Sequence, residues 1–465
     1  MAKDLRSFIA DVKELGPSYF MELSKEVDPI MEISTLQELL GKEERYPVMY
    51  FDKVKGSELP LVTNTFASYD LLGAMFGIKP GTGNKRDILL EYQKRSRNLT
   101  DPVEISKAEA PCKEVIWTGD EVDLGKLPIP QHCPKDEGRY VSAGFTVSRD
   151  PETGIYNCGW YRHVVKSRNE ITAMINPNNH GKYIGRKYKD LGKKMEVALV
   201  IGHHPAVVLG SGERGSIDMD EFQVMGGLMG EPVRLVKGET IDLLVPADAE
   251  IVIEGYIDPT VDTTDGPFAE FAHYYGHEMP AWMINVTAIT MRKDAIFYDL
   301  DPAHVEHNLS GVLPFENNLL TAVKAKCPSV TGLHLPPSGV CLFHAYISIK
   351  KRNPGEGRLV GLSALASETM LKMAVVVDDD IDIYSERDVL WAVATRVQAD
   401  KNVVIIPEVC GSHLDPLSYD ESRTKRGSMT TKMIIDATKP VDTPFAERVK
   451  PDETLMKTLK IEDFI

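Results

Sequence analysis

Tyr156-Asn157-Cys158-Gly159-Trp160-Tyr161-Arg162 opens a candidate strand over 157–165 and sets two polar side chains, Asn157 and Arg162, among aromatic and small residues. An interval of five puts those two on opposite faces of a regular strand. If both serve one site the strand must twist or bulge, and Gly159 is where that is expected. From about residue 140 the surrounding chain reads as short apolar runs separated by turn residues. Candidate strands are 141–147, 170–175, 196–201, 206–209, 241–245, 251–256 and 282–291, with helical spacing at 220–229 and 182–189. This pattern predicts a strand-dominated, mostly antiparallel sheet or barrel whose functional groups lie at strand ends and loops.

On the N-terminal side, helical spacing over 5–15, 35–40, 69–76 and 86–95 and a strand at 48–51 predict a small α/β unit. Pro102, Pro111, Pro128 and Pro130 then make 100–132 an extended connection. On the C-terminal side a helix is expected at 316–326. Beyond it, strands at 344–350, 373–377 and 402–406 alternate with helices at 364–371 and 387–396, which is an α/β pattern. The last forty or so residues, charged and rich in proline and threonine, are expected to form a peripheral tail or an arm covering a partner. The organisation expected is therefore α/β multidomain, divided as 1–110, 111–315 and 316–465.

A chain of 465 residues suffices for two or three domains with their own cores. Its 69 acidic against 53 basic residues give a formal charge of −16, with no long basic run, so nucleic acid is not an expected partner. Apolar runs are interrupted too often for a membrane span, and the first fifteen residues interleave charges with apolar positions, unlike a secretory signal. Cys112, Cys133, Cys158, Cys327, Cys341 and Cys410 include no close pair. Free thiols in a reducing compartment are expected, hence a cytoplasmic location.

Three constellations carry chemistry. Asn157, His180 in Asn-Pro-Asn-Asn-His and Glu221 in Asp-Met-Asp-Glu-Phe offer the oxygen and imidazole donors that a hard divalent cation such as Mn²⁺ accepts. Spacing alone leaves open a turn asparagine, a loop histidine and a solvent-facing glutamate. Asp265-Gly266-Pro267-Phe268-Ala269-Glu270 places two carboxylates around a bend, where Arg162 could depress one carboxyl's pKa while burial raises the other. Two solvated loop carboxylates are the alternative. Val375-Val376-Val377-Asp378-Asp379-Asp380-Ile381-Asp382 reads as a buried strand ending in acids. It could serve a metal-dependent hydrolase or phosphotransferase, although no GxxxxGK[ST] loop accompanies it.

Together with Glu254-Gly255-Tyr256, these motifs resemble the UbiD family of prenylated-FMN-dependent decarboxylases. The resemblance implies a strand-rich split-barrel flavin-binding domain and an α/β C-terminal domain that makes a homo-oligomer. It assigns Asn157, His180 and Glu221 to Mn²⁺, which touches the phosphate of prenylated FMN. A K⁺ ion held largely by backbone carbonyls is implied near 210–213. Asn157, Cys158, Gly159, Trp160, Arg162, Ser211, Gly212, Glu213 and Lys372 become candidate cofactor contacts. Arg162, Asp265 and Glu270 become the catalytic network, Arg162 orienting the substrate carboxylate and Glu270 donating the proton. Asp265 stands where the family commonly has glutamate, one methylene longer, which puts closure of the network in question.

His273, Tyr274, Tyr275, Glu306 and His307 are pocket candidates, with packing as the alternative. The implied reaction is reversible decarboxylation of an aromatic, heteroaromatic or α,β-unsaturated carboxylic acid, releasing CO₂, with a separate flavin prenyltransferase supplying the cofactor. A noncatalytic subunit of the same fold is the competing expectation.

Overall fold

The structure is a computed structural model that describes residues 3–418, 428–449 and 451–465. Its centre is a nine-stranded sheet in which every pairing is antiparallel. The strands run in the order Tyr140–Val141, His163–Ser167, Glu170–Ala173, Met279–Met291, Ile251–Asp265, Met195–Ile201, Phe145–Arg149 and Tyr156–Trp160, and Val115–Thr118 adds to Met279–Met291. Tyr156–Trp160 ends one edge, and His163–Ser167 lies next to the other. Only Tyr161 and Arg162 separate these strands in the chain, and three Cα steps of about 3.8 Å reach no further than about 11 Å. The sheet must therefore curl until its two edges nearly meet. Arg162 lies in that split, as an isolated bridge to Met174.

This break replaces the bulge expected at Gly159. The pairing of Phe145–Arg149 with Tyr156–Trp160 keeps register through Gly159, opposite Thr146. The missing side chain at Gly159 instead admits Tyr161, whose hydroxyl lies 2.1 Å from where a Cβ would stand. The expected strand at 206–209 is also corrected. Pro205–Gly210 is a helix, begun by Pro205 and capped by His204, whose Nδ1 accepts from the Ala206 N–H at 3.2 Å. All six of its residues are buried, and a short, wholly apolar run has no period that separates helix from strand.

The N-terminal sheet comprises Phe20–Leu23, Val48–Phe51, Leu61–Thr63 and Phe297–Tyr298, so its last strand comes from far downstream. The C-terminal sheet has the order Val330–His334, His344–Ile349, Met373–Asp378, Met429–Ala437 and Val403–Cys410. Ala374 and Val376 pack into the main core while Val375 and Val377 pack into a second one, so this sheet is covered on both faces. Met429–Ala437 is internal to it, pairing parallel with Met373–Asp378, which corrects the expectation that the final forty residues are peripheral. Its alternation of Lys432, Ile434 and Asp436 with other types hid a strand whose buried polar groups find partners. Lys432 Nζ donates to the carbonyls of Leu365 and Glu368, and Asp436 Oδ1 accepts from Thr438. The helix expected at 364–371 runs instead over Glu356–Ser367.

The acidic run after Met373–Asp378 is not an open cation site. Arg396 donates to Asp378 Oδ2 at 2.9 Å and to both oxygens of Asp380, and Lys439 pairs with Asp380 at 2.9 Å. These acids lock a strand end to the helix Glu386–Arg396, which removes the basis for the hydrolase or phosphotransferase reading. No helix among the described residues is long and apolar enough to cross a membrane.

Candidate active site

The two longest strands, Ile251–Asp265 and Met279–Met291, pair down to Asp265 opposite Met279, and the chain between them carries the acid–base residues. Phe268–Ala269 pairs with Tyr275–Gly276, folding the segment back on itself. Arg162, at 7% exposure, donates from Nε to Asp265 Oδ1 at 2.7 Å, from Nη2 to the Asp265 carbonyl at 3.3 Å, and from Nη1 to Glu270 Oε1. Phe268 lies 4.8 Å under the guanidinium. The shorter Asp265 side chain thus closes the network. Its second oxygen accepts from the Thr172 hydroxyl at 2.5 Å, and Tyr140 donates to the first at 3.3 Å.

Glu270 is buried, and removal from water pushes its pKa up to about 7 against the opposing pull of Arg162, with Asp265 and Asp136 adding to the rise. Fully solvent-excluded Asp265 and protonatable Glu270 on one guanidinium form a pair with distinct roles. One holds the arginine, and the other can carry a proton near neutral pH.

Asn157 and Glu221 meet directly. Asn157 Nδ2 donates to Glu221 Oε1 and the Cys158 N–H donates to Oε2, both at 3.1 Å. Glu221 begins the helix Glu221–Met229, capped by Asp220, and burial pushes its pKa up to about 8. Asn157 Oδ1 is buried with no hydrogen-bond partner. His180 begins another helix, His180–Asp190, packed against Tyr156–Trp160, and burial lowers its pKa. Tyr161 bridges the two elements, wedged between Gly159 and Gly181. Among the described residues no group of three His, Cys, Asp or Glu could hold a metal. A site here requires the asparagine oxygen as a donor. That orphaned oxygen beside a buried carboxylate fits a hard cation.

The loop after Pro205–Gly210 is tied outward. Ser211 Oγ donates to the Val208 carbonyl at 2.6 Å, and Glu213 accepts from Tyr92 and from Asn318 Nδ2. Arg214 pairs with Glu368 at 3.2 Å and stacks 3.9 Å from Phe315. Glu213's carboxylate is therefore engaged by helices of the N- and C-terminal regions. Cys158 is buried, and Trp160 Nε1 donates to the Ser142 carbonyl at 2.6 Å, with its ring 6.2 Å from that of Phe66. Lys372 pairs with Asp415 at 2.9 Å.

Of the other pocket candidates, Glu306 is fully buried and accepts from the N–H groups of Asn64 and Phe66, joining the N-terminal sheet to its own helix. His307 Nδ1 donates to the Pro302 carbonyl at 2.7 Å, and its ring meets Phe271 edge-on. His273 adopts φ +60°, while Tyr274 is 62% exposed and the Tyr275 hydroxyl accepts from the Lys135 N–H. A cleft of about 560 Å³ lined by Ile30, Gln131, Arg139, Lys166 and Arg168 contains none of the residues named from the sequence.

The structure adds residues that sequence reasoning missed. Thr172 and Tyr140 brace Asp265, Asp136 and Glu137 hold the loop that carries Glu270, and His413 from the C-terminal region faces Arg162 with its Nε2 buried and unpartnered. None carried a local motif, because each acts through partners distant in the chain.

A family model described as the 3-octaprenyl-4-hydroxybenzoate carboxy-lyase Rift-related domain matches residues 103–303. Models of the N-terminal and C-terminal domains of the same carboxy-lyase match residues 20–86 and 310–437. An anhydromevalonate phosphate decarboxylase of Methanosarcina mazei is 33% identical over 433 residues, covering 93% of this chain and 96% of that protein. The UbiD-class enzyme HmfF of Pelotomaculum thermopropionicum, in complex with FMN, superposes with a TM-score of 0.91 at 35% identity, covering 99% of this chain and all of the other. An evolved dimeric form of HmfF in complex with prenylated FMN gives a TM-score of 0.86 at 33% identity, with both chains covered in full.

Proposed function

This chain belongs to the UbiD family and is a carboxy-lyase, and from that premise we propose that it decarboxylates an aromatic, heteroaromatic or α,β-unsaturated carboxylic acid reversibly, using prenylated FMN. The observation that carries the reading is the buried Arg162 held between Asp265 and Glu270, with Glu270's pKa pushed up to about 7. A relative named for anhydromevalonate phosphate places phosphorylated aliphatic acids beside aromatic ones among the substrates to be tried.

Prenylated FMN, when bound, supplies the electron sink that side chains lack for the electrons left on carbon when CO₂ departs. The chain's own residues do the rest. Three of the five Arg162 N–H donors are spent on Asp265 and Glu270, which leaves two to orient a substrate carboxylate. Asp265, fixed by Thr172, holds the guanidinium in place. Protonated Glu270 delivers its proton to the carbon that has lost CO₂, and in the reverse direction its carboxylate accepts that proton.

Asn157 Oδ1, Glu221 and His180 are the residues that would hold Mn²⁺ at the cofactor phosphate, and the backbone of Ser211, Gly212 and Glu213 would face K⁺. Lys372 is assigned to the same phosphate, which requires it to exchange Asp415 for the ligand. The protein is assigned to the cytoplasm, where its six cysteines, all free here, stay reduced. We assign it to homo-oligomers and its cofactor to a separate flavin prenyltransferase.

The test is mass and UV-visible analysis of the cofactor released from protein coexpressed with a flavin prenyltransferase, with metal analysis on the same sample. Prenylated FMN with one Mn²⁺ per chain, followed by CO₂ release from one of the acids, is the expected result. A colourless protein, prepared alongside a family member that loads normally, overturns the assignment.

A further inference from the structure

We propose that the dipeptide Asp136-Glu137 is the positioning device of the proton donor, holding 266–269, the arm of the loop that leads into Glu270, and placing a further negative charge beside it. The proposal rests on the reading of Glu270 as that donor. Glu137 grips the start of the loop twice. Its Oε2 accepts from the Gly266 N–H at 2.8 Å, and its own N–H donates to the Pro267 carbonyl at 2.9 Å. Asp136 holds the residue just before the donor, its Oδ1 accepting from the Ala269 N–H at 2.9 Å.

The two residues are themselves held. Asp136 Oδ2 accepts from the Cys133 N–H at 2.8 Å, and the Asp136 N–H donates to the Cys133 carbonyl at 3.1 Å, closing a turn. Lys166 pairs with Glu137 from the strand His163–Ser167, which follows Arg162 directly. The clamp therefore references the loop to the same strand that places the arginine.

The loop backbone has little freedom elsewhere. Gly266 has φ +113°, and a Cβ there would lie 2.8 Å from the His277 carbonyl oxygen and 3.3 Å from Arg162 Nη2. On the other side, a Cβ at Gly276 would stand 2.9 Å from Glu270 Oε1, so the carboxyl lies directly over that backbone. Glu270 thus sits between Gly276 and Arg162, and a shift of about 1 Å in such a donor costs roughly 100-fold in rate.

The electrostatic half follows from the same placement. The charged groups facing Glu270 are Arg162, Asp265 and Asp136. The titratable and charged groups facing Asp136 are His132, Arg162, Asp301, Tyr275, the Cys133 thiol and Glu270 itself, together with the N–H groups of Ala269 and Cys133. His413 faces Arg162 from the C-terminal region. Among the described residues Asp136 is the carboxylate facing Glu270 that does not bond the arginine, and its charge, partly offset by His132 and Arg162, adds to the rise at Glu270.

Two measurements on cofactor-free protein test this without turnover. The first is an infrared difference titration of the Glu270 carboxyl, its band identified by loss in Glu270→Gln. In Asp136→Asn, which keeps one oxygen for the Ala269 N–H but loses the charge and the acceptor for the Cys133 N–H, the midpoint is expected to fall by roughly 0.5–1 pH unit. The second is hydrogen exchange of the 265–276 segment, expected to quicken about 10-fold or more in Asp136→Ala and Glu137→Ala, with Glu137→Gln restoring protection. Should the alanine variants fail to fold, Asp136→Asn alone decides. An unmoved Glu270 midpoint in Asp136→Asn overturns the proposal. Failure of the wild-type chain to load cofactor or release CO₂ would instead overturn the decarboxylase reading and leave both measurements interpretable.

Discussion

At the scale of single residues, the chemistry rests on how Glu270 is pulled in two directions. Burial favours its neutral form and Arg162 its charged form, and the balance holds its pKa near 7. Glu270→Gln keeps the volume and loses the proton, so decarboxylation is expected to fall 10²–10⁴-fold, about the worth of a positioned general acid, with the thermal midpoint little changed. The same carboxyl links pH to stability. Between its ordinary value of 4.5 and about 7 the folded protein keeps a proton that the unfolded chain has released. Its contribution to stability is therefore complete below pH 4.5 and is lost as pH rises toward 7. Urea midpoints measured across that window in wild type and Glu270→Gln should differ in slope, the wild type declining more steeply. Arg162, Asp265 and Glu270 were legible as candidates because a guanidinium and two carboxylates have few uses besides pairing. Asp136, Glu137 and Thr172 were not, since their roles consist of hydrogen bonds to a loop more than ninety residues away.

At the scale of elements, a carboxylate-rich strand end illustrates how the same residues serve either a cation or a helix. Asp378 and Asp380 are satisfied by Arg396, whose side chain is 2% exposed, with Lys439 adding to the outer acid. Removing one partner of a buried pair leaves the other charge unpaired and costs about 3 kcal/mol or more. Arg396→Met is expected to lose that much in urea unfolding, and wild type is expected to show no Mg²⁺ binding at this run by calorimetry. Long periodic elements were readable in advance. Val48–Phe51 appears with the expected limits, and Glu221–Met229 and Glu386–Arg396 within one residue of them. Pro205–Gly210 and Met429–Ala437 were not, the first for lack of any period and the second because its inward polar groups are paid for by partners elsewhere in the fold.

For the whole molecule, the part of the chain after Met429–Ala437 exposes apolar residues that a free surface does not need, including Val449 at 95%, Met456 at 69%, Ile461 at 74% and Phe464 at 74%. If the chain forms the homo-oligomer assigned above, sedimentation should find a dimer or larger species, and deleting 440–465 should lower its mass toward the monomer. An unchanged sedimentation coefficient in the truncated protein would remove the tail from the interface. The sequence by itself determined the class of the fold, because alternation and turn residues set strand and helix locally, and it determined which side chains were able to do acid–base and cation chemistry. Only the tertiary structure decided which of them meet. The pairing that delivers Asp265 and Glu270 to the split at Arg162 joins segments more than a hundred residues apart. Such proximity depends on packing of the entire sheet, which no local pattern encodes.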